Sequence, residues 1–173
     1  MELWDLYDKQ RNPLGITVRR GDEIPKGSYR LVITVCIFDR AGRMLIQKRH
    51  PDKVGWGGLW DISVGGSVIS GEDSSSAAQR ELFEELGLRF PIKGERPKVS
   101  FSFREGFIDA YLIVTDEIPI KSLKLQSDEV VDARYATRAE IHSLIDSGEF
   151  IPYDKSVIDL VFFMRDTDML QRE

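Results

Sequence analysis

The stretch from Gly66 to Leu88, GSVISGEDSSSAAQRELFEELGL, constrains this chain more than any other part, because it sets four glutamates and an arginine in a loop-then-helix pattern. At roughly 100° per helical residue, Glu81, Glu84 and Glu85 share an arc of about 100°, while Ala78, Leu82 and Leu86 form an adjoining apolar stripe. Asp73 or Ser74 suits the N-cap, and Gly87 suits the residue that ends the helix. One helix thus presents carboxylates on one side and leucines on the other.

Carboxylates crowded on one turn repel, and like charges at i,i+4 weaken a helix. A cation among them reverses that sign. An all-oxygen donor set selects hard ions, so Mg²⁺ is expected, with Mn²⁺ as the substitute, and Mg²⁺ commonly shares its coordination with substrate phosphates.

The spacing resembles the Nudix box, G-x5-E-x7-R-E-U-x-E-E-x-G-U with U aliphatic. Gly66, Glu72, Arg80, Glu81, Leu82, Glu84, Glu85, Gly87 and Leu88 fill its fixed positions in order. The resemblance implies an α/β (α+β) fold in which a mixed sheet lies between helices. It implies direct metal contacts from Glu81 and Glu85, with Glu84 acting through water or a second ion and the Gly66 carbonyl completing the site. Arg80 would orient the carboxylates, and Glu72 would close back on Arg80. The implied activity is hydrolysis, by metal-activated water, of a diphosphate linkage in a nucleoside diphosphate derivative or a related small-molecule diphosphate. Glu81, Glu84 and Glu129 are the candidate proton acceptors; Glu129 enters because the family often places an acid just before this late strand, a position that equally suits an exposed charge.

The N-terminal residues WDLYD and IPKG, with Tyr29, resemble Nudix proteins similar to isopentenyl diphosphate isomerases. That sets up an isomerase alternative. Isomerases of that kind carry W-x-N-S-x-C-G-H-P, and the corresponding stretch here runs from Trp60 to Val68, with Gly65 at the cysteine position and Ser67 at the histidine position. The upstream metal histidines would fall near Glu23 and Arg30, whereas His50 and His142 lie elsewhere. A second alternative is a Nudix-fold module that binds without cleaving, but such modules generally lose box glutamates.

Substrate contacts are expected from Lys48 and Arg49 at a strand end and from Trp60 in the glycine- and tryptophan-rich loop GWGGLW. The same charges also suit a solubilising strand edge, and Trp60, like Trp56, Phe101 and Phe103, also suits a core. Cys36, the only cysteine, lies in the apolar run LVITVCIF and reads as a buried free thiol.

A chain of 173 residues suits a single domain, with residues 1–27 as an N-terminal hairpin extension (LWDLYD, then GITVRR) and 28–173 as the catalytic core. Strands are expected at LVITVCIF, MLIQKR, KVSFSF, FIDAYLIV and VVDARYA, and DISVGG follows the glycine-rich loop. Two helices should close the chain, one opened by a Thr137/Glu140 capping box and one starting at Pro152. No apolar run approaches the roughly 18 residues needed to span a bilayer, and no secretion signal is visible, so a cytoplasmic location is expected. A net charge of −5 argues against nucleic acid as a partner. A homodimer is the favoured assembly, because a short apolar hairpin needs a surface to pack on.

Overall fold

The computed structural model describes residues 2–166. The hairpin pairs β1 (Leu3–Tyr7) with β2 (Pro13–Arg19) as an antiparallel ribbon. The main sheet is built on β3 (Arg30–Asp39), which buries Ile33, Val35 and Ile37 on one face and Cys36 and Phe38 on the other, as suits a central strand. It joins β4 (Met44–Arg49), β5 (Trp60–Asp61), β6 (Val64–Ser67), β7 (Val99–Phe103), β8 (Gly106–Thr115) and β9 (Val130–Ala136).

β3 runs parallel to β8 over ten pairs, from Arg30 opposite Gly106 to Asp39 opposite Thr115. Its other edge is shared. The first part, Val32 to Val35, pairs antiparallel with β6, and only Phe38 pairs with Met44 of β4. The expected hairpin therefore splays beyond its turn, because β4 leaves β3 to pair with β9 and β5.

Helices cover both faces, as expected. Helix α1 (Ser74–Leu86) packs Ala77, Ala78, Leu82 and Leu86 against Leu31, Ile33, Val35 and Ile37. Helices α2 (Arg138–Asp146) and α3 (Lys155–Met164) cover the opposite face, where Ile141, Ile158 and Phe162 meet Cys36, Phe38, Met44 and Ile46. Asp73 caps α1 by accepting from the Ser76 N–H, and Gly87 closes it at φ 70°. The Thr137/Glu140 capping box is formed. The last helix begins three residues after Pro152, because Asp154 supplies the cap by accepting from the Ser156 N–H.

The hairpin is fastened to the body rather than hanging free. Tyr7 and Tyr29 exchange backbone hydrogen bonds at 2.8 and 2.9 Å, Asp5 accepts from Ser70 Oγ and the Gly71 N–H, and Leu6 is fully buried. No helix among the described residues is long and apolar enough to cross a membrane.

Candidate active site

Where β3 parts from β4, the sheet end, α1, the loop before β9 and the hairpin enclose a cleft of about 650 Å³. Glu81, Glu84, Glu85, Gly65, Gly66 and Arg80 line one side of it. Arg80 organises that side: Nε and Nη2 donate to the two Glu72 oxygens at 2.9 and 3.1 Å, and Nη1 donates to Glu81 and Glu84 at 2.8 and 2.9 Å. Nη2 also donates to the Ser67 carbonyl at 3.1 Å, tying the helix to β6.

The glutamates differ in setting. Glu85 is buried and accepts from Gln47 Nε2 at 2.9 Å. Burial, followed by repulsion from Glu81, pushes its carboxyl up to about 8. Burial likewise raises Glu81 to about 7, against the pull of Arg80. Gly66 leaves room for the Glu81 carboxyl group, which a Cβ built there would have to displace.

Among the described residues no three His, Cys, Asp or Glu side chains stand ready-formed around an ion, since Arg80 draws Glu81 and Glu84 to itself. The donor set nevertheless fits a hard divalent cation. Two neighbouring carboxylates, Glu85 buried and Glu81 partly buried, are costly without a counter-charge. The Gln47 Oε1 beside Glu85 is a buried acceptor without a partner, and the missing Cβ of Gly66 leaves the Glu81 carboxyl its place against the β6 backbone.

Glu129 lines the cleft from the turn before β9 and is ion-paired with Lys53. Arg49 also lines the cleft, with Nη1 3.4 Å from Asp61 and Nη2 donating to the Gly55 carbonyl at 3.3 Å. Lys48 and Trp60, expected as substrate contacts, are not among the residues that line the cleft. Alternation along β4 turns Gln47 toward Glu85 and Arg49 to the cleft, and Lys48 to the other face, where its ammonium lies 5.8 Å from the Trp60 ring. Trp60 itself packs in the core beneath α2 and α3. Of the other aromatic candidates, Phe103 and the exposed Trp56 reach the cleft.

Several cleft residues escaped the sequence reading. Asp61 is buried at its floor, accepting from Tyr153 Oη at 3.0 Å and from the Ile62 N–H at 2.8 Å, and burial raises its carboxyl. Glu2 and Arg20 arrive from the hairpin, Lys53 from the loop after β4, and Arg30 from the start of β3. A usable signal existed for Gln47 alone, as a polar residue ending the apolar run MLI.

Comparison with known proteins gives the chain its family. The NUDIX domain family matches residues 28–159, well over half of the chain, and the chain belongs to that family. An uncharacterised Nudix hydrolase of Listeria monocytogenes is 48% identical over 153 residues, spanning 88% of this chain and 90% of that protein. An isopentenyl-diphosphate Delta-isomerase of Pectobacterium atrosepticum is 31% identical over 145 residues, spanning 79% of this chain and 76% of that protein. A crystal structure from Deinococcus radiodurans shares the fold at a TM-score of 0.73 and 24% identity, covering 92% of this chain and 97% of its own. The chain is a Nudix hydrolase, an enzyme of a family that acts on small phosphorus-containing substrates and generally uses divalent metal ions.

Proposed function

We propose that this enzyme is a Mg²⁺-dependent hydrolase of a diphosphate linkage in a nucleoside diphosphate derivative or a related small diphosphate. The observation that carries the reading is the Arg80-centred set of Glu81, Glu84 and Glu85 against Gly66, facing a cleft that also holds Arg20, Arg30, Arg49 and Lys53. Glu81, Glu85, Glu84 and the Gly66 carbonyl would hold Mg²⁺, with Mn²⁺ as a substitute. When bound, such an ion lowers the pKa of water and neutralises charge on the leaving phosphate.

The protein's own groups divide the remaining work. Arg80 and Glu72 keep the carboxylates in register with β6, and Gln47 fixes the Glu85 carboxylate. Of the three candidate bases, Glu129 is the one outside the helical cluster. It can take a proton from attacking water without giving up a metal contact, and Lys53 holds it at the cleft wall. Arg49 faces the phosphates from β4.

The isomerase reading draws on the likeness to isopentenyl-diphosphate isomerases. Against it, Gly65 and Ser67 replace the thiol and imidazole, and Cys36 is sealed in the core, where burial pushes its thiol up to about 12. One experiment separates the two. Purified protein with Mg²⁺ should release phosphate or a monophosphate from members of a panel of diphosphates, and should put no deuterium into isopentenyl diphosphate in heavy water. Glu85→Gln should lower turnover roughly 100-fold or more, the scale for removing an electrostatic stabiliser. Deuterium incorporation, or full activity in Glu85→Gln, would overturn the reading.

A further inference from the structure

Five cations line the cleft, Arg20, Arg30, Arg49, Lys53 and Arg80, and four are ion-paired: Arg20 with Glu2, Arg49 with Asp61, Lys53 with Glu129, and Arg80 with Glu72, Glu81 and Glu84. Of these five, only Arg30 has no carboxylate among the described residues within ion-pair distance. Its guanidinium lies over two rings, 4.6 Å from the centroid of Trp4 on the hairpin and 5.5 Å from that of Phe103 on β7. Rings stacked on a guanidinium cover its faces and leave its N–H edge for a partner in the plane.

That edge is under-used. Nη1 donates to Ser67 Oγ at 3.2 Å, and the buried Nε has no partner. Ser67 also gives its carbonyl to Arg80 and follows Gly66 in the chain, so Arg30 stands one residue away from the carboxylate cluster. Burial pulls the guanidinium below its ordinary value, as befits a cation that lacks a close anion. The backbone is fixed too, the Arg30 N–H donating to the Glu105 carbonyl at 3.0 Å. The group is charged, clamped and partly desolvated, with a single side-chain hydrogen bond to its guanidinium, beside the glutamate cluster.

We infer that Arg30 is a phosphate-recognition residue of this enzyme, and that the N-terminal hairpin, through Trp4, belongs to the substrate site. This deepens the diphosphate hydrolase reading and rests on it. It also gives work to a segment that lies outside residues 28–159, the part matched by the family. A forked guanidinium held in place loses little freedom when a phosphate arrives, and charge-assisted pairs of this kind are the stronger hydrogen bonds.

The test uses the full chain, with methylenediphosphonate as a non-hydrolysable probe in the presence of Mg²⁺. Calorimetry of Arg30→Met should show Kd raised roughly 10- to 100-fold, the scale of losing a charged hydrogen bond, with Tm within a few degrees of the parent. Arg30→Lys, which keeps charge without the fork, should recover part of the affinity, and Trp4→Leu should weaken binding severalfold. In turnover assays the Arg30 variants should raise KM far more than they lower kcat. Unchanged Kd in a folded Arg30→Met overturns the inference, as does a parent protein that does not bind the probe. If Arg30→Met does not fold, parental affinity in Arg30→Lys has the same force. A parent that binds the probe through Arg30 but hydrolyses no diphosphate instead sinks the hydrolase reading.

Discussion

Arg80 and Gly66 show how much of this site depends on single residues. Burial works to lower the Arg80 guanidinium, yet Glu72, Glu81 and Glu84 hold it well above its ordinary value, so it is a fixed cation that sets where three carboxylates sit. Gly66 matters for what it lacks, because any Cβ there would displace the Glu81 carboxyl. Gly65, one residue earlier, is looser: a Cβ there meets nothing nearer than the Ile33 carbonyl oxygen at 3.9 Å. Gly66→Ala should therefore fold and yet lose roughly 100-fold in turnover, the cost of displacing a catalytic group by about 1 Å. Gly65→Ala should keep most activity and a parental Tm. Equal activity in the two variants, by initial rates at saturating Mg²⁺, would mean that the contact between Glu81 and Gly66 is not the working geometry.

Among the elements, the hairpin adds an ion pair to the backbone and packing contacts that fasten it to the body. Arg11, at φ 65° in its turn, reaches Asp109 of β8 with both terminal nitrogens, at 2.9 and 2.7 Å. Burial acts to raise the Asp109 carboxyl, but hydrogen bonds from Arg11 and Ser100 outweigh it and hold the group below its ordinary value. A carboxyl lowered in the folded state stabilises above its unfolded pKa, about 3.9, and that contribution is lost as the pH falls through the lower folded value. Arg11 is partly exposed, so Asp109→Asn should cost only about 1 kcal/mol near neutrality. The difference in Tm between parent and variant should shrink toward zero on acidification; a constant difference down to pH values of about 2 to 3 would exclude the pair as its source. Such long-range ties mark the limit of what the sequence discloses. Local chemistry fixed α1 between Asp73 and Gly87 and opened α2 at Thr137, because capping partners lie within a few residues of each other. The turn of the β3–β4 hairpin was legible for the same reason. The parallel partner of β3 was not, nor was the phase of β4, where one step of alternation sends Gln47 to Glu85 and Lys48 to Trp60. The box glutamates were readable from spacing, while Asp61 and Tyr153 meet across 92 residues and Arg30 gains its meaning from Trp4 and Phe103, which only folding brings near.

On the scale of the whole molecule, the hairpin divides its apolar side chains between two fates. Trp4 and Leu6 are buried against the body, whereas Leu3, Leu14 and Ile16 are 41%, 39% and 44% exposed. An isolated two-stranded ribbon has free edges and little core of its own, so an outer apolar surface of this kind favours burial against a second copy. Stable interfaces remove about 800 Å² per partner, more than three side chains supply, so the contact would have to extend beyond the ribbon. Deleting residues 1–27 would be a poor test, because it would also strip Leu6 and the Tyr7–Tyr29 bonds from the body. The sharper variant is Leu14→Glu with Ile16→Glu, which charges the outer surface and leaves those contacts in place. Light scattering after size exclusion should give a dimer mass for the parent at micromolar concentration and a monomer mass for the variant. Both should show similar circular dichroism and, because Trp4 and Arg30 are untouched, similar affinity for methylenediphosphonate. A parent that stays monomeric across the concentration range, or a charged variant that stays dimeric, would remove the hairpin from any account of assembly and leave it with the substrate cleft alone.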